Sequence, residues 1–292
     1  MELQQLRYFL AVASEKNITR AAEHLRLSQP ALSRQIHQLE DSLGGPLFER
    51  SQGGVTLTER GYYLAEHAKE MVRLADKISI NLNTATPISG ELYIGGGETE
   101  TLTSVVETFR QMKQLHPDVK LRLYSGNGDD VIDKLDRGIL DFGVVIEPIN
   151  LATYASRKLP HVDRWGILTR RDSQVGQKNA IETGDLLDLP LILSEQSLVD
   201  RHLSARLGID LTETDVVATY NLLYNASLLV REGIGHALCL DGIINTQGTE
   251  LVFVPLHPPL TSSVHLIWKS GSRLSNVAST FLQLFDERET AT

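Results

Sequence analysis

Apolar residues recur at helical spacing through the first forty positions, and the polar residues between them cluster. In "LRYFLAVASEK" (6–16), Leu6, Phe9, Leu10 and Ala13 share one face at i, i+3, i+4 and i+7, which predicts a first helix. Asn17 is placed to cap a second helix with Ala21, Ala22 and Leu25 inward, the alanines allowing close helix approach. Arg26-Leu27 makes a turn. Ser28 then caps a third helix, in which Pro30 is tolerated because first-turn amides lack intrahelical partners. Leu32, Ile36, Leu39 and Leu43 are inward on that helix, which leaves Gln29, Ser33, Arg34 and His37 outward near its start.

Farther along, Leu64, Ala68, Met71, Ala75, Ile78 and Leu82 alternate spacings of four and three, a heptad seam with charges of both signs between. Such a stripe can pack on its own domain or pair with a second copy. Its narrowness favours pairing. Residues 81–89, "NLNTATPIS", are small and polar with a proline and read as a hinge. Beyond Glu91 the period changes again. "LYIGGG", "KLRLYSG" and "LDFGVVI" predict strands separated by helices at 101–115 and 129–137, a βαβ pattern with a parallel sheet. After Pro148 a second series follows, "RWGILT", "LPLILS", "VVATY" and "GHALCL", with helices at 199–207 and 222–232. "SVHLIWK" and "SNVASTFLQLFDE" read as a return to the first unit.

Composition narrows the function classes. The chain has 292 residues, enough for two or three domains. A single cysteine, Cys239, excludes an internal disulfide and suits a reducing cytosol. The N-terminus lacks a signal-peptide pattern, and no apolar run is long enough for a membrane span. The net charge of −9 argues at first against nucleic acid, but its distribution does not. Residues 1–83 hold ten Lys and Arg against ten Asp and Glu, so the whole excess lies in residues 84–292, with 18 against 27. An acidic body repels phosphate and confines any DNA contact to the neutral head.

The outward residues of the third helix admit two readings, a solvated face or a recognition helix whose Gln reads adenine, whose Arg reads guanine and whose Ser serves base or phosphate. "NITRAAEHLRLSQPALSRQIHQLEDSLGGPLFER" (17–50) resembles the winged helix-turn-helix of LysR-type transcriptional regulators nearly position by position, through Ala21-Ala22, Ser28-Gln29-Pro30, Ser33, Ile36, Leu39-Glu40, Gly44, Leu47-Phe48 and Arg50. The resemblance implies major-groove contacts by Gln29, Pro30, Ser33 and Arg34, with His37 and Arg50 alongside. "VTLTERG" (55–61) resembles the second wing strand running into a linker helix. The wing tip 51–54 is uncharged where the family often carries a further cation, so this wing is expected to contribute less affinity.

The later part resembles the LysR-type effector domain, a two-lobed α/β unit of the type-2 periplasmic-binding-protein fold, most closely at "LDRGILDFGVV" (135–145) and "LLVREGIGHALCL" (228–240). The fold class expected is therefore α+β and multidomain: a winged helix-turn-helix over 1–60, a linker helix and hinge over 61–87, and an effector domain over 88–292. Lobe I of that domain takes about 88–160 and 266–292, and lobe II about 161–265. Ligands of such folds bind where strand ends meet helix starts. Here those junctions are 97–101, 125–129, 194–197 and 220–222, which nominate Thr99, Thr101, Ser125, Asn127, Gln196 and Tyr220. By the resemblance, Thr99 occupies a hydroxyl position that often holds an effector carboxylate, and Gly128 a position often filled by Ser or Thr. Glu98, Glu100 and Glu195 read as solvent-facing first-turn acids or, if they face the cleft, as an obstacle to a dianion. Free helix amides would favour a carboxylate, so a ligand with at most one negative charge is expected.

"GGGE" (95–98) lacks the third glycine and the lysine of nucleotide loops, the histidines show no metal spacing, and Cys239 reads as a buried small hydrophobe. No catalytic constellation stands out, and no cofactor is implied. The expectation is a cytoplasmic regulator, a homodimer or homotetramer, with double-stranded operator DNA, a small-molecule effector and, by the resemblance, RNA polymerase as partners. A solute-binding protein without DNA function explains the body but not residues 1–60.

Overall fold

The computed structural model describes residues 1–51, 54–81, 88–199 and 201–291, without the side chains of residues 50, 51, 80, 81, 199 and 291. They form two units, Met1–Asn83 and Thr84–Thr292.

The first unit runs α1 (Leu3–Glu15), α2 (Ile18–His24), α3 (Gln29–Leu43), β1 (Phe48–Ser51), β2 (Gly54–Leu57) and α4 (Glu59–Asn81). Its core gathers Leu6, Phe9, Val12, Ala21, Ala22, Leu32, Ile36, Leu39 and Leu47. On α1 the inward face is rotated from the expected one: Val12 is buried, while Leu10 and Ala13 are half-buried. The caps form as the sequence predicts. Asn17 Oδ1 accepts from the Thr19 and Arg20 amides at 2.9 and 3.1 Å, and Ser28 Oγ from Ala31 at 3.4 Å. Gly44 closes α3 in the left-handed region at φ 78°, where a Cβ is costly. β1 and β2 pair antiparallel, and the Val55 amide donates to the Lys16 carbonyl at 3.0 Å, tying the wing to the α1–α2 turn.

The first half of α4 is part of this core. Ala65 and Ala68 are buried in it, with Leu64 and Val72 packed alongside. Arg7 Nη1 meets Asp76 Oδ2 at 3.1 Å. The heptad seam is therefore divided. Ala68, at 0% exposure, faces its own head and cannot reach a second copy, whereas Met71 and Ile78 remain 45% and 51% exposed. Ala75 is half-buried, and Leu82 lies outside the described residues. A helix turns by about 100° per residue, so a stripe drawn at 3.5 spacing drifts across two neighbouring faces of a straight rod.

The second unit contains β3 (Gly90–Gly96), α5 (Thr103–Leu115), β4 (Val119–Ser125), α6 (Gly128–Asp136), β5 (Phe142–Ile146), β6 (Tyr154–Arg170), β7 (Ile181–Glu182), β8 (Leu191–Ser194), α7 (Glu195–Val199), α8 (Arg201–Leu207), β9 (Val216–Tyr220), α9 (Leu223–Arg231), β10 (His236–Leu240), β11 (Leu251–His257), β12 (Thr261–Lys269) and α10 (Asn276–Ala291). Strand order is β4-β3-β5-β12-β6-β10-β8-β9, with β11 on β6 and β7 on β11. β3 pairs parallel with β4 and β5, as the βαβ pattern requires.

Two lobes arise because β6, at 17 residues, serves both sheets. Its first part pairs with β12, from Tyr154↔Lys269 to Arg164↔Thr261, and its last part with β10 and β11. The return strand β12 begins at Thr261, five residues before the expected lobe boundary at 266. Lobe I closes on Phe142, Trp268, Phe281 and Phe285, with α10 packed back onto it, and lobe II on Ile167, Leu191, Leu193, Leu238 and Val254.

A Cβ at Gly61 would lie 2.1 Å from the Leu47 carbonyl oxygen, where the wing enters α4. Gly61→Ala is expected to destabilise the first unit by about 1–3 kcal/mol through overpacking. Circular-dichroism melting checks this. An unchanged midpoint would mean the Leu47 segment yields without cost.

Candidate functional site

The outward face of α3 is available for contact. Gln29, Pro30, Arg34 and His37 are exposed and Ser33 is half-buried. Gln29 occupies the first helical position and Pro30 the second. Among the described residues, the side chains of Gln29, Ser33 and Arg34 have no hydrogen-bond partner. His37 differs. Its Nδ1 lies 3.2 Å from Glu40 Oε2, and Glu40 Oε1 accepts from the Leu47 and Phe48 amides at 2.8 and 3.3 Å. Glu40 thus fixes the start of the wing against α3, with His37 attached to it. The side chain of Arg50 lies outside the described residues.

Between the lobes of the second unit lies a cavity of about 310 Å³. Of the six residues nominated from strand ends, Asn127, Gln196 and Tyr220 line it and Thr99, Thr101 and Ser125 do not. Thr99 and Thr101 are turned to Asp163, 4% exposed on β6, donating from their hydroxyls to its two oxygens at 2.6 and 2.7 Å. A buried carboxylate claims the nearest donors, which corrects the placement of both threonines in the cleft. Ser125, the last residue of β4, is exposed and lies outside the lining.

The residues that do line the cavity are mostly committed. Asn127 Oδ1 accepts from the Asp130 amide at 2.9 Å and caps α6. Tyr220 donates its hydroxyl to the Leu238 carbonyl at 2.9 Å, and burial holds that phenol well above its usual range. Gln196 Oε1 accepts from the Gly128 amide at 3.4 Å, from the opposite lobe. A Cβ at Gly128 would lie 2.7 Å from Gln196 Nε2, so the missing side chain there is the space Gln196 occupies. Cys239 is buried in the wall, and desolvation pushes its thiol up to about 12, so it carries no thiolate near neutral pH.

Glu98 departs from the solvent-facing reading. It lines the cavity and accepts from the Leu223 amide at the start of α9 in the opposite lobe. Glu195 is exposed at the cavity margin, while Glu100 is exposed, lies outside the lining and abuts Gly242. Two contributors escaped the sequence reading. Glu147, before Pro148, lines the cavity and pairs with His265 Nε2 at 2.8 Å, which holds its carboxyl below the usual range. Trp165, in the middle of β6, also lines it and donates Nε1–H to Ser262 Oγ at 2.9 Å. Neither residue stands at a strand-to-helix junction, the signal that nominated the others.

Comparison with known proteins agrees with this architecture. Residues 3–62 match the family described as bacterial regulatory helix-turn-helix protein, lysR family, and residues 85–289 the LysR substrate binding domain. The chain is 28% identical over 295 residues to the HTH-type transcriptional regulator BudR of Raoultella terrigena, across 98% of this chain and 100% of that protein. It is 34% identical over 205 residues to the regulator TfdT of Cupriavidus pinatubonensis, across 66% of this chain and 85% of that protein. Full-length CbnR, solved in complex with its target DNA, shares the fold with a TM-score of 0.74 at 20% identity, over 98% of this chain and 99% of that one.

Burial lifts the Asp163 carboxyl above the aspartate range, against the two hydroxyl hydrogen bonds that pull it down. A carboxyl raised on folding contributes stability that is complete below its unfolded pKa and lost as pH rises through its folded value. Thr99→Val removes one donor and lifts that folded value further. The substitution should therefore cost about 1–3 kcal/mol at about pH 8 and less at about pH 4, measured by urea unfolding. An equal cost at both would show that the hydroxyl does not serve the charge.

Proposed function

The chain belongs to the LysR family of bacterial helix-turn-helix regulators, and from that premise we propose that α3 reads operator bases while a small molecule in the interlobe cleft adjusts the geometry of binding. The observation that carries the first half is the face of α3, where Gln29, Ser33 and Arg34 stand without protein partners among the described residues. Side chains that hydrogen-bond well and are left unpaired at a helix start suit the donor and acceptor pattern of the major groove. Pro30 fits beside them. His37, which also pairs with Glu40, and Arg50 complete the proposed DNA-binding set.

The second copy pairs through the exposed flank of α4. Met71 and Ile78 support this, since large apolar side chains 45% and 51% exposed on a helix are poorly solvated. Two heads then engage two half-sites, which multiplies affinity without new contacts. The role is regulatory rather than catalytic, in the cytoplasm, with RNA polymerase as the downstream partner. It rests on kinship with transcriptional regulators matched over 98% of the chain. No described helix is long and apolar enough to cross a membrane. A solute-binding protein without DNA function leaves the match over residues 3–62 unaccounted for.

Arg34→Ala should relax discrimination between operator and scrambled duplex by about 1–3 kcal/mol in competition gel shifts, the value of one bidentate base contact. Equal weakening on both duplexes would make Arg34 a phosphate contact. Met71→Glu combined with Ile78→Glu should move the protein toward monomer in light scattering and abolish tight operator binding. An oligomer of unchanged mass and affinity would leave assembly to the second unit.

A further inference from the structure

On the reading of the cleft as the effector site, we propose that its ligand carries a positive charge, and that Glu98 is the residue that holds it.

The first observation is charge. The cavity is lined by Glu98, Asp129, Glu147 and Glu195, and among the described residues no Lys, Arg or His lines it. Among the described residues, Glu147 alone of these four has a basic partner, His265. The body around the cleft holds the whole net charge of −9, so its field adds to that of the lining.

The second observation is independent of the acids and concerns donors. An anionic ligand in such a cleft is held by the free amides of helix starts. Here protein acceptors have taken four of the amides at those starts. Glu98 accepts from Leu223, Gln196 from Gly128, Asn127 from Asp130, and Ser194 Oγ from Ser197 at 2.9 Å. A carboxylate at any of these four amides would compete with an internal acceptor, and anywhere in the cleft it would stand beside carboxylates. An ammonium group would meet vacant carboxylate lone pairs instead, because the single hydrogen bond from Leu223 leaves most of the Glu98 acceptor capacity unused.

The third observation is the wall. Trp165 and Tyr220 both line the cavity, and their polar atoms are already paired with Ser262 and Leu238, so what they offer a ligand is ring surface. Aromatic faces attract cations, and more strongly away from water. A cavity of about 310 Å³ suits a small amine with an apolar body.

The test uses three compounds of one shape, 2-phenylethylamine, 2-phenylethanol and phenylacetate, titrated calorimetrically into the full chain. The ammonium should bind at least about tenfold more tightly than the carboxylate, with the alcohol between. Glu98→Gln should erase most of that preference, and Glu98→Asp, which keeps the charge, should retain it. If Glu98→Gln does not fold, the wild-type order and Glu98→Asp still decide. Equal affinities, a preference for the carboxylate, or no binding of the ammonium overturns the proposal. Ile243→Trp, which fills the cavity, separates this from the underlying reading. Ammonium binding indifferent to Ile243→Trp sinks the cleft as the site, whereas carboxylate binding abolished by it sinks only the charge.

Discussion

Each lobe of the second unit caps a helix of the other. Glu98, just beyond β3, accepts from the first residue of α9, and Gln196, on α7, accepts from the first residue of α6. Helix starts carry amides with no intrahelical partner, and something must satisfy them. Here the lobes satisfy one another, so polar contacts help to close the cleft. Such contacts are worth little net, about 0.5–1.5 kcal/mol each, because water replaces them on opening. These two contacts alone therefore add little to the cost of parting the lobes, and a ligand shifts such a balance only by its differential affinity for the two arrangements.

The crossing strands limit what that choice can look like. β6 passes between lobes near Arg164–Trp165, and β12 returns at Thr261. The two passages are braced to each other: the Trp165 amide donates to the Leu260 carbonyl at 2.8 Å and its indole to Ser262 at 2.9 Å. Motion between lobes must bend this pair rather than separate it. Trp165 is therefore both cavity wall and part of the crossing, which lets occupancy of the cavity bear on the bend directly.

How far the sequence was legible follows from which force acts at each residue. The head was readable because one apolar stripe per helix decides its packing, and side chains such as Asn17 and Ser28 have a single local use as caps. Strands β3, β5, β8 and β10 were readable as continuous apolar runs, the mark of strands covered on both faces. The first ten residues of β6, "YASRKLPHVD", were not, since only Leu159 and Asp163 among them are buried and Pro160 interrupts any alternation. In the cleft, position was legible and partnership was not. Thr99 and Glu98 are neighbours at one strand end, yet the first serves Asp163, 64 residues on, and the second serves Leu223, 125 residues on. Spacing carries no trace of pairings at that range.

The linker helix shows how a single element can satisfy two demands. Over 23 residues, roughly 35 Å of rise, α4 presents Ala65 and Ala68 to the head core and Met71 and Ile78 to the outside. The small residues permit close approach to α1, and the Arg7–Asp76 pair fastens the helix farther along. A rod fixed to the head along half its length cannot turn without turning α3. Any contact made on its outer stripe therefore sets the direction in which Gln29, Ser33 and Arg34 point. A change of register by one residue on that stripe would rotate the reading face by about 100°, which is why the two stripes must be specified on the same helix and not on separate ones.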